Sequence, residues 1–395
     1  MNIYKYIQNV FEVWIHEIRA ILKDQGAILF CFVLPLAYPV LYSWIYNNEV
    51  VREVPVVAVD NSHSSLSRQF LQKLNATPDC EVSYYAGSLE EAKEYVGRGE
   101  AYGVVYLPAD FDEKVGRHEQ AVVSVYCDMS YMLTYKAIYT SVQTVSMVMG
   151  GQISAQIAQP MTKRDAELSS APLKVDQIQV FNVTGGYGNS ILPGVLVLII
   201  QQAILLCLGL RAGTERETYF RDMKSVGSTM LGKGLTYFMI YGVMLAYTSL
   251  VVPRIFGFVM MAHLWDWMVF MTPYLMACIG FGVVGSEMIR YRENVMLTAV
   301  CTSVPFLFMS GLSWPQSAIP GFWQGVGDII PSTFAIRGIV RMSSMGARIG
   351  DVIPEFRALC IQAVVYNIIA VFIMYRRFNI KRLKLRSNSQ GSTNA

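Results

Sequence analysis

Charge is scarce in this chain. Asp, Glu, Lys and Arg make up 15% of its 395 residues, where a soluble domain carries about 25%. The formal net charge of +3 is too weak to suggest a nucleic-acid partner. There are only four histidines, no H-E-x-x-H and no C-x-x-C, and no G-x-S-x-G elbow. These absences remove the usual metal, thiol and serine routes to catalysis. The nearest approach to a nucleotide motif is Gly227–Gly234, "GSTMLGKG". A phosphate loop ends in Ser or Thr, whose hydroxyl ligates Mg²⁺, and here that place is Gly234. It also needs a buried strand before it, and "TERETYFRDMKSV" is charged throughout. Acids are missing from the middle of the apolar runs as well, which argues against an ion-coupled carrier.

What the chain has is apolar length: 53% of its residues are hydrophobic. About 20 such residues cross a bilayer. Six runs qualify: Ala27–Tyr46, Ser190–Leu210, Gly234–Val252, Trp267–Met288, Val295–Leu312 and Phe356–Tyr375. The first is too long for the apolar core of a signal peptide. Basic residues favour the cytoplasmic side. They gather before the first run (Lys5, Arg19, Lys23), in 211–233, after the fourth run (Arg290, Arg292) and in the tail from Arg376 to Arg386. With six spans all four places fall on one side. This predicts an α-helical polytopic membrane protein with both termini cytoplasmic. Arg337, Arg341 and Arg348 fall on the other side, in a segment expected to pack on the bundle. Ahead of the first span, Ile3, Ile7, Val10, Phe11, Trp14, Ile15, Ile18, Ile21 and Leu22 recur at spacings of three and four. That is one apolar stripe of a helix over 1–25, suited to the membrane interface.

Residues 47–189 alternate strand and helix patterns, predicting a mixed α/β domain inserted between the first two spans on the extracytoplasmic side. Strands are expected at Val54–Asp60, Cys80–Ala86, Ala101–Pro108 and Ala121–Asp128. Helices are expected at Ser64–Asn75, Ser88–Glu100 and Tyr131–Gln159. His63 and His118 are isolated, and Asp110, Asp112 and Glu113 read as a solvated helix start. Cys80 and Cys127 could bridge in an oxidising compartment or simply pack in strands. Cys31, Cys207, Cys278, Cys301 and Cys360 lie in apolar runs and read as packing residues.

Few polar groups interrupt the spans. Gln201, Gln202 and Asn367 are candidates for a transport pathway, although such amides also make helix–helix hydrogen bonds. Glu287 sits near the inner end of the fourth run, where Arg290 or Arg292 could pair with it.

The order of parts resembles the permease subunit of type-2 ATP-binding-cassette exporters, in the multidrug-type branch with a large external domain. "HEIRAILKDQGAILFCFVLPLAYPVL" is similar to that family's leading segment, with Arg19, Lys23, Asp24 and Pro35 in place. "RAGTERETYFRDMKSVGSTMLGKGL" is similar to its loop between spans two and three: Glu215, Arg216 and Glu217 match, as do Gly232 and Lys233, while Thr218-Tyr219-Phe220 departs from it. "SGLSWPQSAIPGFWQGVGDIIPSTFAIRGI" resembles its external re-entrant segment, placed within 313–355. The resemblance implies a transport subunit without its own ATPase activity. ATP and Mg²⁺ would bind a separate ATPase partner, and a second permease copy, identical or related, would complete the pathway. Membrane lipids, and in the drug-efflux branch a periplasmic adaptor, would be further partners. Arg19, Lys23, Asp24 and Glu215–Glu217 would receive the ATPase motion. The cargo would be hydrophobic or amphipathic. The competing reading is an extracytoplasmic binding or sensing domain anchored by helices, for which five spans after the domain are excessive.

Overall fold

A computed structural model describes residues 3–47, 50–117, 119–129, 131–157, 186–218, 225–289 and 291–391. The apolar stripe near the amino terminus forms helix α1 (Ile3–Lys23). It stops at Asp24, whose extended backbone breaks the run and whose carboxylate accepts the N–H groups of Gly26 and Ala27. The cap opens α2 (Gln25–Ile45), the first helix long and apolar enough to cross a membrane. A π-helical turn at Leu29–Val33 precedes its two prolines, Pro35 and Pro39.

The next compact unit begins at Val50. Its strands are β1 (Val54–Asp60), β2 (Cys80–Tyr85), β3 (Gly103–Leu107) and β4 (Ser124–Cys127). Its helices are α3 (Ser65–Asn75), α4 (Leu89–Gly97), α5 (Phe111–Gly116) and α6 (Met132–Ile157). The sheet order is β2-β1-β3-β4, with β1 parallel to both neighbours and β4 antiparallel to β3. Alternating residues of β1 face opposite layers, as the strand period requires. Val56 and Ala58 join Phe70, Leu74 and Ile138 on one face, while Val57 and Val59 join Ala92 on the other. The sequence expectation of a mixed sheet with helices between strands describes these elements well. Ser64 and Ser88 cap α3 and α4 as their positions suggested. Asp110 and Glu113 pair with Lys114 and Arg117 at the surface. The segment 158–185 and His118 lie outside the described residues.

The remaining chain belongs with α1 and α2 in the other unit. It comprises α7 (Tyr187–Thr218), α8 (Val226–Ile255), α9 (Leu264–Met288), α10 (Arg292–Met309), α11 (Gly321–Gly327), α12 (Pro331–Met345) and α13 (Ile353–Gly391). The central element is α7: 67% of its apolar window is buried, against 28% for α2. Buried tyrosines tie neighbours to its carbonyls. Tyr241 of α8 donates to Ala203 O at 2.8 Å, and Tyr274 of α9 donates to Val197 O at 2.8 Å. Helix α12 closes tightly on α9, where a Cβ at Gly338 would lie 2.1 Å from Phe270 Cζ.

Two sequence expectations change. Five described helices are long and apolar enough to span a membrane, and the expected fifth span, within α10, is a shorter apolar helix. It starts among Arg292, Glu293 and Asn294 and ends before Gly311, which turns the chain at φ +84°. The loop expected over 211–233 is also shorter, because α7 stays helical to Thr218 and α8 begins at Val226. The segment 313–355 is largely helical, holding α11 and α12.

Candidate functional site

Where α1 meets α7 and α8, five polar side chains converge, four of them buried and Lys233 mostly so. Glu17 lies on the inward side of α1, in line with Val10, Trp14 and Ile21, and is 1% exposed. Arg211 Nε of α7 lies 3.4 Å from Glu17 Oε1, and Tyr237 of α8 donates to the same oxygen at 2.8 Å. Arg211 Nη2 also donates to Glu215 Oε1 at 3.2 Å, one helical turn on. Lys233 of α8 donates to Glu215 Oε2 and lies 4.0 Å from Glu17 Oε2. Two carboxylates thus face two cations, and the cluster is balanced. Burial pushes the Glu17 carboxyl up, but the Lys233 and Arg211 cations and the Tyr237 hydroxyl outweigh it, so Glu17 is held below the usual carboxylate range. Leaving one member of a buried ion cluster unpaired costs about 3–5 kcal/mol.

Gly232 explains how α1 comes so near. A Cβ there would lie 2.8 Å from Val10 O and from Val13 Cβ. The Gly-Lys pair therefore has two jobs: glycine admits the helix, and lysine reaches the acids. Both residues lie well inside α8, where their amides belong to the helix ladder rather than to an open phosphate cradle.

A second group sits alongside. Arg292 Nη2 of α10 donates to Asp24 Oδ1 at 2.6 Å, and its Nη1 donates to Thr214 Oγ1 at 2.9 Å. Burial raises the Asp24 carboxyl, but Arg292 and the Gly26 and Ala27 amides together lower it below its ordinary value. Arg216 donates to the carbonyls of Ser286 (2.6 Å) and Ile289 and lies 3.8 Å from Glu287. A cation there suits the C-terminal dipole of α9. A cleft of about 760 Å³ opens beside both groups, lined among others by His16, Lys23, Asp24, Arg211, Glu215 and Arg292.

The mid-span amides behave differently from one another. Gln201 is fully buried, and its Oε1 accepts Ser332 N at 2.7 Å. Asn367 of α13 donates to Met276 O of α9 at 3.1 Å and borders an apolar groove of about 320 Å³ with Met230, Leu235 and Phe238. The Gln202 amide has no hydrogen-bond partner among the described residues. No cluster of His, Cys, Asp and Glu suited to a metal occurs among the described residues.

A sequence profile of the ABC-2 family transporter proteins matches residues 26–372. The chain belongs to this family. The linearmycin resistance permease protein LnrN of Bacillus subtilis (strain 168) is similar to it, 21% identical over 85% of this chain and 91% of that protein. The ABC-2 chain is thus a multi-pass membrane permease subunit, of a kind that works with an ABC ATPase and as a permease dimer.

Within this ABC-2 chain, the residues singled out from the sequence separate by depth. Glu215 is buried in the ion cluster, Arg216 caps α9, and Asp24 caps α2. Arg19 and Lys23 are exposed. The side chain of Glu217 lies outside the described residues, as do Arg221, Lys224 and Arg290. Glu287 faces Arg216; of the two arginines expected to pair with it, Arg292 turns to Asp24 and Arg290 lies outside the described residues. Cys31 and Cys207, expected as separate packing residues, form a disulfide between α2 and α7 with Cα atoms 6.0 Å apart. Their helices cross there, which spacing along the chain could not show. Cys80 and Cys127 are free, and burial pushes their thiols up to about 12 and about 11. The residues the sequence missed are Glu17, Arg211, Tyr237 and Arg292. Glu17 carried a signal: it is a carboxylate on the apolar side of an amphipathic helix.

Proposed function

We propose that this permease moves a hydrophobic or amphipathic compound outward across a bacterial inner membrane, driven by a separate ATPase. Export is supported by the relative named for resistance to linearmycin. In this reading both termini and the α1 end of the bundle are cytoplasmic, and the α/β unit is external, available to a periplasmic adaptor. The short helix α10 serves as the fifth of six spans, and 313–355 enters the bundle from outside. The ATPase meets the exposed Arg19 and Lys23, with Lys23 at the open cleft, and Asp24 and Glu215–Glu217 complete the coupling surface.

The observation that carries the reading is the joint of α1 with the ends of α7 and α8. An amphipathic helix held by buried ion pairs beside an open, charged cleft is a surface on which a soluble motor can act. Extraction of the tagged chain in mild detergent should bring down a stoichiometric ATPase and support ATP-dependent efflux in proteoliposomes. A homo-oligomer without any ATPase would favour the anchored receptor. Topology has its own test. A cysteine at Gly97, where no atom lies within 4 Å of a new Cβ, should react with an impermeant maleimide in intact spheroplasts. Reaction only after lysis would invert the orientation.

A further inference from the structure

We propose that Glu17 is a positioning residue that fastens α1 to α7 and α8 through charge, making the three helix ends one moving body. This rests on the reading that an ATPase drives the chain.

The contacts divide α1 into two parts. Towards its start, Ile3, Ile7 and Phe11 are exposed, and the inward contact is Val10 and Val13 against the bare backbone at Gly232. These contacts, together with Tyr6 OH against Gly227 and a 3.5 Å hydrogen bond from Thr236 Oγ1 to Trp14 O, carry no charge. One turn after Val13 the character changes. The Glu17 carboxylate is met by Arg211 at 3.4 Å from one helix, and by Tyr237 at 2.8 Å and Lys233 at 4.0 Å from another. These contacts are directional and mostly buried, so salt screens them less than it screens surface pairs. Glu215 takes the other side of both cations. Every charge in the cluster therefore has partners on another helix, and α1 contributes one charge alone. Neutralising Glu17 releases α1 from the network while Arg211, Glu215 and Lys233 still hold α7 to α8.

The test uses the complete complex with its co-purified ATPase. Spin labels are placed at Phe11 and Met239, both half exposed, after Cys127, Cys301 and Cys360 are changed to Ser. In the wild type the distance distribution between α1 and α8 should be narrow and the same with and without ATP plus vanadate. In Glu17→Gln it should broaden, to roughly double the width as a buried charge contact is lost, and shift on adding ATP plus vanadate. Glu17→Asp, which keeps the charge, should stay narrow. The proposal falls if Glu17→Gln stays narrow, or if the Gln and Asp variants broaden alike. Should Glu17→Gln fail to accumulate, Glu17→Gln with Lys233→Met leaves Arg211 balanced by Glu215 and should broaden in the same way; a narrow distribution there overturns the proposal. A second label pair at Met239 and Val364 reports whether the spans respond to ATP plus vanadate at all. No response in the wild type refutes the ATPase-driven reading itself, separately from the role of Glu17.

Discussion

The side-chain oxygen of Gln201 and the backbone N–H of Ser332 meet at 2.7 Å in the interior of the helix bundle. Ser332 is the second residue of α12, whose first-turn N–H groups have no partners within the helix. Pro331, at the first position, has no N–H to satisfy. An amide at the middle of α7 therefore serves as the cap of another helix, which places its role in assembly ahead of the pathway role its position suggested.

Gln201→Leu should lower stability by about 1–3 kcal/mol, the cost of orphaning a buried donor. Gln202→Leu is the contrast. Its amide atoms are buried without partners among the described residues, so its replacement should leave stability unchanged or improve it. Thermal unfolding of the two purified variants in detergent separates them. Equal losses would show that the Ser332 contact is not what holds α12.

The legibility of the chain follows from the range of the interactions involved. Periodicity is local, so α1, the four strands and the long apolar helices could be read from residue patterns. Helix starts are local too: the expected helices opened at Ser64 and Ser88, which cap α3 and α4, whereas α1, expected over 1–25, stops at Asp24. The ion cluster was half legible: Glu215 and Lys233 stood in recognisable motifs, but their partner Glu17 lies 198 positions before Glu215. Only the crossing of α1 over α8 at Gly232 brings it near. The Cys31–Cys207 pair spans 176 positions for the same reason. The division of Gln201 from Gln202 was not legible at all, since adjacent helix residues point about 100° apart and only the packing decides which one meets α12.

Asp24 gives a pH-dependent prediction. Its carboxyl is held below the ordinary value in the folded chain, so its contribution is fully present above the unfolded pKa of about 3.9. It is lost as pH falls through the lower folded value. At neutral pH, Asp24→Asn keeps an oxygen to cap α2 but loses the charge that meets Arg292, costing up to about 1 kcal/mol for a part-exposed ion pair. The difference between Asp24→Asn and wild type should shrink towards zero as samples are taken well below pH 4. Thermal unfolding across that range measures it, and a difference that stays constant would assign the loss to shape and not to charge.

The cysteines predict a specific peptide map. Digestion without reductant should yield one cross-linked species joining the peptides that contain Cys31 and Cys207. Cys80 and Cys127 should both carry the alkylating label after unfolding without reductant, since β2 and β4 are separated by β1 and β3 in the sheet. At native pH they should react slowly, because burial pushes both thiols upward and little thiolate is present. A Cys80–Cys127 peptide would contradict the strand order.

The stretch Gly227–Gly234 holds the sharpest contrast. In a phosphate loop its glycines would act together, since the backbone of the whole loop must wrap one anion. Inside α8 they act separately. Gly232 faces α1 with Val10 O only 2.8 Å from a new Cβ, whereas Gly234 has nothing within 4 Å. Gly232→Ala should push α1 away and weaken the reach of Lys233 to Glu17 and Glu215, reducing coupled export and lowering the unfolding temperature. Gly234→Ala should leave export intact and stabilise α8 by up to about 1 kcal/mol, the usual gain of alanine over glycine in a helix interior. Side-by-side export and unfolding measurements on the two variants decide it. Equal damage from both would mean that this stretch does more than admit α1, and would reopen the question of an anion held there.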